Sequence, residues 1–220
     1  MHFEILVEDQ SGKKALDILV PKIIGHEHTF NVHPYKGIGR IPKGLQVTAD
    51  PNKRMLLDQL PRLLQGFGRA FAKYPDDYPA AVILVCDLDD RCLHAFRAEL
   101  DQVLHRCHPS PDTRFCVAIE EGEAWLLGDL PAIRKAYPKA KDTILNAYQQ
   151  DSICGTWEKL ADAIVPGGVQ SLSKQGWYAA GKMKSEWAVA ICPHMDIEAN
   201  GSPSFCYFRG KLRALAANQD

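Results

Sequence analysis

The stretch that decides the fold runs from residue 81 to residue 90 and reads Ala81-Val82-Ile83-Leu84-Val85-Cys86-Asp87-Leu88-Asp89-Asp90. An unbroken apolar run of this length is typical of a β-strand that other elements cover on both faces. The aspartates follow at the point where the strand ends. A second, mostly apolar run, residues 3–7, also ends in acidic residues, Glu8 and Asp9. We therefore interpret both runs as strands of one parallel sheet.

Strands and helices alternate along the first half of the chain. Residues 28–33 and 114–119 read as further strands, and helical periodicity follows each apolar run. This alternation predicts an α/β fold with a Rossmann-like parallel sheet flanked by helices. It weakens beyond Asp129, so we expect an α/β core over residues 1–130 and a helical C-terminal extension over residues 131–220 that packs on it.

Two details of the helices follow from local chemistry. Ser11 is placed to cap the first helix, because a hydroxyl can accept a hydrogen bond from a free N–H of the first turn. Pro61 lies inside a helical pattern that extends from Asn52 to about Ala72. Since proline lacks an N–H group and clashes with the preceding turn, we expect it to divide this pattern into two helices.

Composition restricts the classes of protein. The chain has 220 residues, with 26 Lys and Arg against 27 Asp and Glu, so any contact with nucleic acid must use a local basic patch. The 7 cysteines include no Cys-x-x-Cys pair, which favours free thiols in a reducing compartment. No segment reads as a secretion signal or membrane span. We expect a cytoplasmic protein that does not bind a membrane.

Acidic residues at strand ends predict a metal site. Because the carboxyl ends of parallel strands meet at one edge of the sheet, Glu8, Asp87 and Asp89 are expected to converge there. Converging carboxylates repel one another unless a hard cation, Mg²⁺ or Mn²⁺, neutralises them. Further candidate metal ligands are Asp90, Glu120 and Glu123. The alternative is that each acidic residue only caps the helix after its strand.

These residues resemble a known family pattern. A Glu after strand one, an Asp-x-Asp after the central strand and a later acidic segment resemble the Toprim domain of topoisomerases, primases and overcoming-lysogenization-defect-type nucleases. The chain is also similar to an uncharacterised bacterial Toprim-like family whose members are often found beside ATPases in presumed phage-defence loci. The shared marks are Glu120-x-x-Glu123-Ala124-Trp125-Leu126-Leu127-x-Asp129 and Ser202-Pro203-Ser204-Phe205.

The resemblance implies a Mg²⁺-dependent nuclease in phage defence or DNA processing. Glu8 would act as acid/base or metal ligand, and Asp87 and Asp89 would hold the metal. Asp9 and residues 13–14, both lysines, depart from the Toprim pattern, which has a glycine and an acidic residue there. This departure leaves open an alternative, a non-cleaving Toprim-like sensing or regulatory partner of an ATPase. The candidate partners are therefore a nucleic acid, an ATPase and a second copy of the chain.

An acidic pair after strand one is also typical of phosphorelay receiver domains. In a receiver the phospho-acceptor Asp follows the third strand. Here Asp87 follows Glu8 by 79 positions, too far for that compact order. The receiver interpretation is therefore disfavoured.

Two basic segments are candidate contacts for nucleic acid. Lys36, Arg40 and Lys43 lie in a glycine-rich loop that lacks the Gly-Lys-Ser/Thr ending of an ATP-binding P-loop. Lys182 and Lys184 form the second segment. Its neighbours Trp177 and Tyr178 predict a buried aromatic anchor for the C-terminal part, with stacking on bases as the alternative.

Overall fold

Four parallel strands form the central sheet of the computed structural model, which describes residues 1–42 and 54–217. The strands are β1 (His2–Val7), β2 (Thr29–Pro34), β3 (Ala80–Asp87) and β4 (Thr113–Ala118). Their order across the sheet is β2-β1-β3-β4, and Ile5 of β1 lies opposite both Val32 and Ile83. The predicted Rossmann-like α/β fold is confirmed.

Helices fill both sides of the sheet within the described ranges. They are α1 (Gln10–Ile24), α2 (Leu56–Phe71), α3 (Leu93–His105), α4 (Glu123–Leu127), α5 (Leu130–Ala136), α6 (Asp142–Leu145), α7 (Thr156–Ile164), α8 (Gly168–Ser173), α9 (Trp177–Ile191) and α10 (Pro203–Ala217). A short 3₁₀ helix, Cys192–His194, follows α9. None of the helices described here is both long and apolar enough to cross a bilayer.

The strands bury side chains on both faces, as the apolar runs predict. Phe3 and Ile5 of β1 belong to a core that includes residues of α1, while Leu6 belongs to a second core with residues of α2 and α3. Successive side chains of a strand point to opposite faces, so one strand supplies both cores. Each fully buried leucine or isoleucine contributes about 2 kcal/mol to folding.

The C-terminal helices cover the α1 face of the sheet, as expected of a helical extension that packs on the core. Trp187 of α9 and Phe205 and Phe208 of α10 are fully buried in the same core as Phe3. Trp125 of α4 stacks on Phe208 with ring centroids 4.9 Å apart. This packing brings α9 against the carboxyl edge of the sheet, where the candidate site lies.

Two local expectations are wrong. Asp9, not Ser11, caps α1: its carboxylate accepts from the Gly12 N–H at 2.7 Å and from the Ser11 hydroxyl at 2.6 Å. Pro61 does not divide α2, which is one continuous helix. A helical proline loses one hydrogen bond. The buried leucine face of α2 outweighs that loss, since it packs along the whole helix.

Candidate functional site

The sheet has a topological switch point between β1 and β3. From β1 the chain moves outward to β2 on one side, and it then returns to place β3 on the other side. Ligands of open α/β sheets bind in the crevice outside the carboxyl ends of the strands at such a point. Glu8 follows β1 there, and Asp87 ends β3. The Asp87 N–H donates a 3.4 Å hydrogen bond to the Glu8 carboxylate, which ties the two strand ends together.

A small cavity of about 60 Å³ opens at this switch point. The charged residues of its lining are Glu8, Asp9, Asp87, Glu123 and Lys184, and the Asp9 carboxylate is already used to cap α1. The remaining wall is largely apolar and comes mainly from α1, α4 and the strand ends. Charged groups held against apolar walls interact more strongly than they would in water.

Lys184 brings a positive charge from α9 into this acidic crevice. Its ammonium lies 3.2 Å from the Glu123 carboxylate and 3.4 Å from that of Glu121. It also lies 5.7 Å from the centre of the Trp157 ring. Burial lowers the pKa of Lys184, but Glu123 and Glu121 outweigh that effect and hold the pKa above its ordinary value. Lys184 therefore remains protonated at neutral pH.

The carboxyl groups do not all ionise easily. Burial, with added repulsion from Asp89 and Asp9, raises the pKa of Glu8 from 4.5 to about 7. Burial and the neighbouring Glu8 and Glu123 raise the pKa of Asp87 well above its ordinary value. Burial also raises the pKa of Glu121 to about 7. One lysine thus faces more negative charge than it can neutralise, and a further cation would favour the ionised carboxylates.

The donor chemistry of the cavity suits a hard divalent cation, since carboxylate oxygens are the ligands that Mg²⁺ prefers. Glu8, Asp87 and Glu123 are the residues that would hold it. Among residues 1–42 and 54–217, however, no three His, Cys, Asp or Glu side chains already stand at the spacing of a metal site. A bound cation would have to draw these carboxylates together.

Residues 7–213 match a protein family described as a domain of unknown function (DUF4276). The chain belongs to the DUF4276 family. No curated protein matches it, and no solved structure does. The family match begins at the last residue of β1 and includes β2, β3, β4, the crevice and α9, so every residue of the site described above lies within the DUF4276 domain.

The DUF4276 fold brings together only some of the predicted acidic residues. Glu8, Asp87 and Glu123 line the cavity. Asp89 has a left-handed backbone with φ of 53°, and its half-exposed carboxylate lies 3.7 Å from the guanidinium of Arg91. Asp90 is exposed. Asp89 acts on the site at a distance, by adding to the repulsion at Glu8.

Glu120 has a structural task in this fold. Its carboxylate accepts hydrogen bonds from the backbone N–H groups of Cys154, Gly155 and Thr156 at 2.9–3.1 Å and from the Thr156 hydroxyl. These groups form the beginning of α7. Burial raises the pKa of Glu120, but the hydrogen bonds outweigh burial and lower it. The carboxylate therefore caps α7 and does not line the cavity.

The predicted basic residues fall in three places. The loop with Lys36 and Arg40 lies beside the site, because the Gly37 N–H donates to the Glu8 carbonyl at 3.0 Å. Arg40 and Arg91 line a separate cavity of about 390 Å³, together with Glu99. Lys182 is exposed near Glu186, and Lys184 lies in the acidic crevice. The remaining residue, Lys43, lies outside the described residues.

Sequence reasoning missed Glu121 as a member of this cluster and placed Lys184 in the wrong surroundings. Glu121 had a sequence signal, because it directly follows Glu120 at the end of the predicted fourth strand. Lys184 had none. Its position depends on how α9 packs against α1 and α4, which periodicity does not reveal.

Proposed function

We propose that this protein is a Mg²⁺- or Mn²⁺-dependent nuclease of Toprim-like type that cleaves phosphodiester bonds. The observation that carries the proposal is the crevice at the switch point, where Glu8, Asp87 and Glu123 share one cavity with Lys184. Two of these carboxyls, Glu8 and Asp87, have raised pKa values. A divalent cation would supply the missing positive charge.

The residues of the crevice have distinct roles in this proposal. A bound Mg²⁺ would stabilise the negative charge of a phosphodiester under attack by water. Glu8, Asp87 and Glu123 would serve as oxygen ligands of the cation. Lys184 would pair with a phosphate oxygen, because an ammonium is a compact positive charge with three donors.

The basic loop offers the contacts that a nucleic-acid backbone needs outside the crevice. Lys36 and Arg40 are exposed on the loop that runs beside Glu8. Arg40 and Arg91 line the second cavity, and a guanidinium can bind a phosphate through two N–H groups at once. Such contacts position a backbone without reading its sequence.

The test is cleavage of plasmid DNA and of single-stranded DNA and RNA with Mg²⁺, with Mn²⁺, or with EDTA. Asp87→Asn is expected to lower the cleavage rate at least about a hundredfold, an effect typical of removing one group that stabilises transition-state charge. The matched control is Asp17→Asn, which changes an exposed carboxylate of α1 that pairs with Lys13. It is expected to cleave like the wild type.

A second readout does not depend on cleavage. Mg²⁺ is expected to raise the melting temperature of the wild type and of Asp17→Asn, since a ligand that binds the folded state stabilises it. It is expected to leave Asp87→Asn unchanged. Equal metal-dependent cleavage by Asp87→Asn and the wild type would refute the assignment of the site.

A second candidate function is a non-cleaving Toprim-like module that regulates a partner ATPase. Lys184 favours it, because its ammonium already neutralises part of the acidic cluster. This function predicts co-purification with an ATPase encoded beside the protein and no metal-dependent cleavage. Cleavage that Asp87→Asn abolishes would exclude it.

A further inference from the structure

Two aromatic side chains stand out from the surface at the beginning of α9. Trp177 is 87% exposed and Tyr178 is 75% exposed, the highest values among the large hydrophobic residues that the structure describes. Their rings contact each other edge to face, with centroids 6.3 Å apart. The expectation that they form a buried anchor is wrong. They do not stabilise the core, so their exposed faces are available to a ligand.

The same helix connects these rings to the crevice. Trp177 precedes Lys184 by seven residues, so both lie on one face of α9, about 10 Å apart along its axis. Ala180 and Gly181 lie between them on that face. A side chain added at Gly181 would meet open space. The surface between the exposed ring and the lysine is therefore bare enough for a planar group to lie against it.

Lysines lie close to the exposed rings. Residues 163–185 include three lysines and no Asp or Glu, although Lys182 lies near Glu186 and Lys184 is paired with Glu121 and Glu123. Lys182 lies four residues after Tyr178 and is therefore its neighbour on the helix surface. Exposed aromatic rings beside lysines are the arrangement with which proteins bind unpaired bases and the phosphates that link them.

We propose that Trp177 and Tyr178 form a stacking platform for unpaired bases of a single-stranded nucleic acid, whose backbone leads along α9 to the cavity beside Lys184. Single strands are specified because an aromatic ring needs the face of a base, which is covered by neighbouring base pairs inside a duplex. The proposal rests on the proposed function, since it names the substrate class of the same crevice.

The test is binding of a single-stranded oligothymidylate of about 20 nucleotides, with EDTA to prevent cleavage. Tryptophan fluorescence is expected to be quenched on binding, because Trp177 is exposed whereas Trp125 and Trp187 are buried and Trp157 is partly buried. Trp177→Ala is expected to remove most of the quenching and to weaken the Kd on the order of tenfold to a hundredfold. A duplex of the same length is expected to bind more weakly and to quench less.

Two further variants complete the design. Trp177→Phe keeps an aromatic face and is expected to retain most of the affinity. Val189→Ala removes half-exposed apolar surface elsewhere on α9 and serves as the matched control, with unchanged affinity expected. Unchanged oligothymidylate binding by Trp177→Ala would overturn the stacking platform. The stacking platform would also be overturned if Trp177→Ala lost a co-purifying protein but kept its affinity for the oligonucleotide.

The same measurements distinguish failure of the stacking platform from failure of the nuclease. Asp87→Asn is expected to keep the fluorescence quenching while losing cleavage. Quenching without any metal-dependent cleavage would leave the stacking platform standing and refute the nuclease. If Trp177→Ala and Tyr178→Ala cleaved like the wild type, the nuclease would stand and the stacking platform would be refuted.

Discussion

Glu8→Gln is expected to stabilise the protein at pH 8 while abolishing its metal response. The pKa of Glu8 rises from 4.5 in an ordinary environment to about 7 in the folded protein. At about 1.4 kcal/mol for each pH unit, keeping this carboxyl ionised lowers the stability by about 3 kcal/mol. Glutamine has nearly the same shape and no charge, so the variant avoids this loss.

The direction in which stability changes with pH follows from proton binding. Between pH 4.5 and 7 the folded state holds the Glu8 proton more tightly than the unfolded state does, so stability falls as pH rises through this window. At pH 4.5 and below, Glu8 is largely protonated in the folded protein, and Glu8→Gln is expected to match the wild type. At pH 8 the variant is expected to be more stable by up to about 3 kcal/mol.

The assay is urea unfolding at pH 4.5, 6 and 8 with EDTA, and again at pH 8 with Mg²⁺. The matched control is Glu4→Gln, which changes the glutamate within β1. Burial raises the pKa of Glu4, but hydrogen bonds with His33, His2 and Asn31 outweigh it and lower the pKa. Glu4→Gln is therefore expected to destabilise the protein, and more at pH 8 than at pH 4.5.

One result would refute the reasoning. If Glu8→Gln destabilised the protein equally at all three pH values, Glu8 would be an ordinary structural carboxylate. Mg²⁺ is expected to stabilise the wild type at pH 8 and to leave Glu8→Gln unchanged.

Two other substitutions test the remaining assignments. Lys184→Met leaves Glu121 and Glu123 without their shared cation and is expected to destabilise the protein by about 3 kcal/mol at pH 8, measured by urea unfolding. The loss is expected to be smaller at pH 5, because burial raises the pKa of Glu121 to about 7 and a protonated carboxyl needs no cationic partner. An equal loss at both pH values would contradict the ion-pair network. Glu120→Ala removes the cap of α7 and is expected to cost about 1–2 kcal/mol while preserving the effect of Mg²⁺ on the melting temperature. Loss of that effect would make Glu120 a metal ligand after all.

The sequence predicted the sheet and the carboxyls of Glu8, Asp87 and Glu123 near its edge for one physical reason. Apolar runs such as 81–86 form strands with little ambiguity, and the carboxyl ends of parallel strands share an edge. Glu8 and Asp87 therefore had to lie close together once the strands were recognised. Asp89 does not line the cavity beside Asp87, because its left-handed backbone breaks the alternation of an extended chain.

The features that sequence reasoning missed depend on packing between distant segments. Lys184 reaches the acidic cluster because α9 packs against α1, far away in the chain. The backbone of Glu120 has φ of 61°, and its carboxylate caps a helix more than 30 residues later. Trp177 is exposed because it begins α9, at the end remote from the buried Trp187. Periodicity identifies the faces of a helix but not where the covered part of a face ends.

Three glutamates of the fold differ in how their carboxylates are hydrogen-bonded. Glu4 is hydrogen-bonded to two histidines and an asparagine, and Glu120 accepts from three backbone N–H groups and a hydroxyl. Both have lowered pKa values. Among the contacts of the described residues, the Glu8 carboxylate accepts one hydrogen bond, at 3.4 Å, and its pKa is raised.

The fold therefore stabilises the charge of Glu4 and Glu120 but not that of Glu8. A glutamine at position 8 would keep the shape without the electrostatic penalty, so folding alone does not require a carboxyl there. Groups with strongly shifted pKa values in a crevice are typical of sites that move protons or bind cations. The charge of Glu8 becomes favourable when a cation enters the cavity in addition to the Lys184 ammonium. Binding of such a cation would therefore also stabilise the fold.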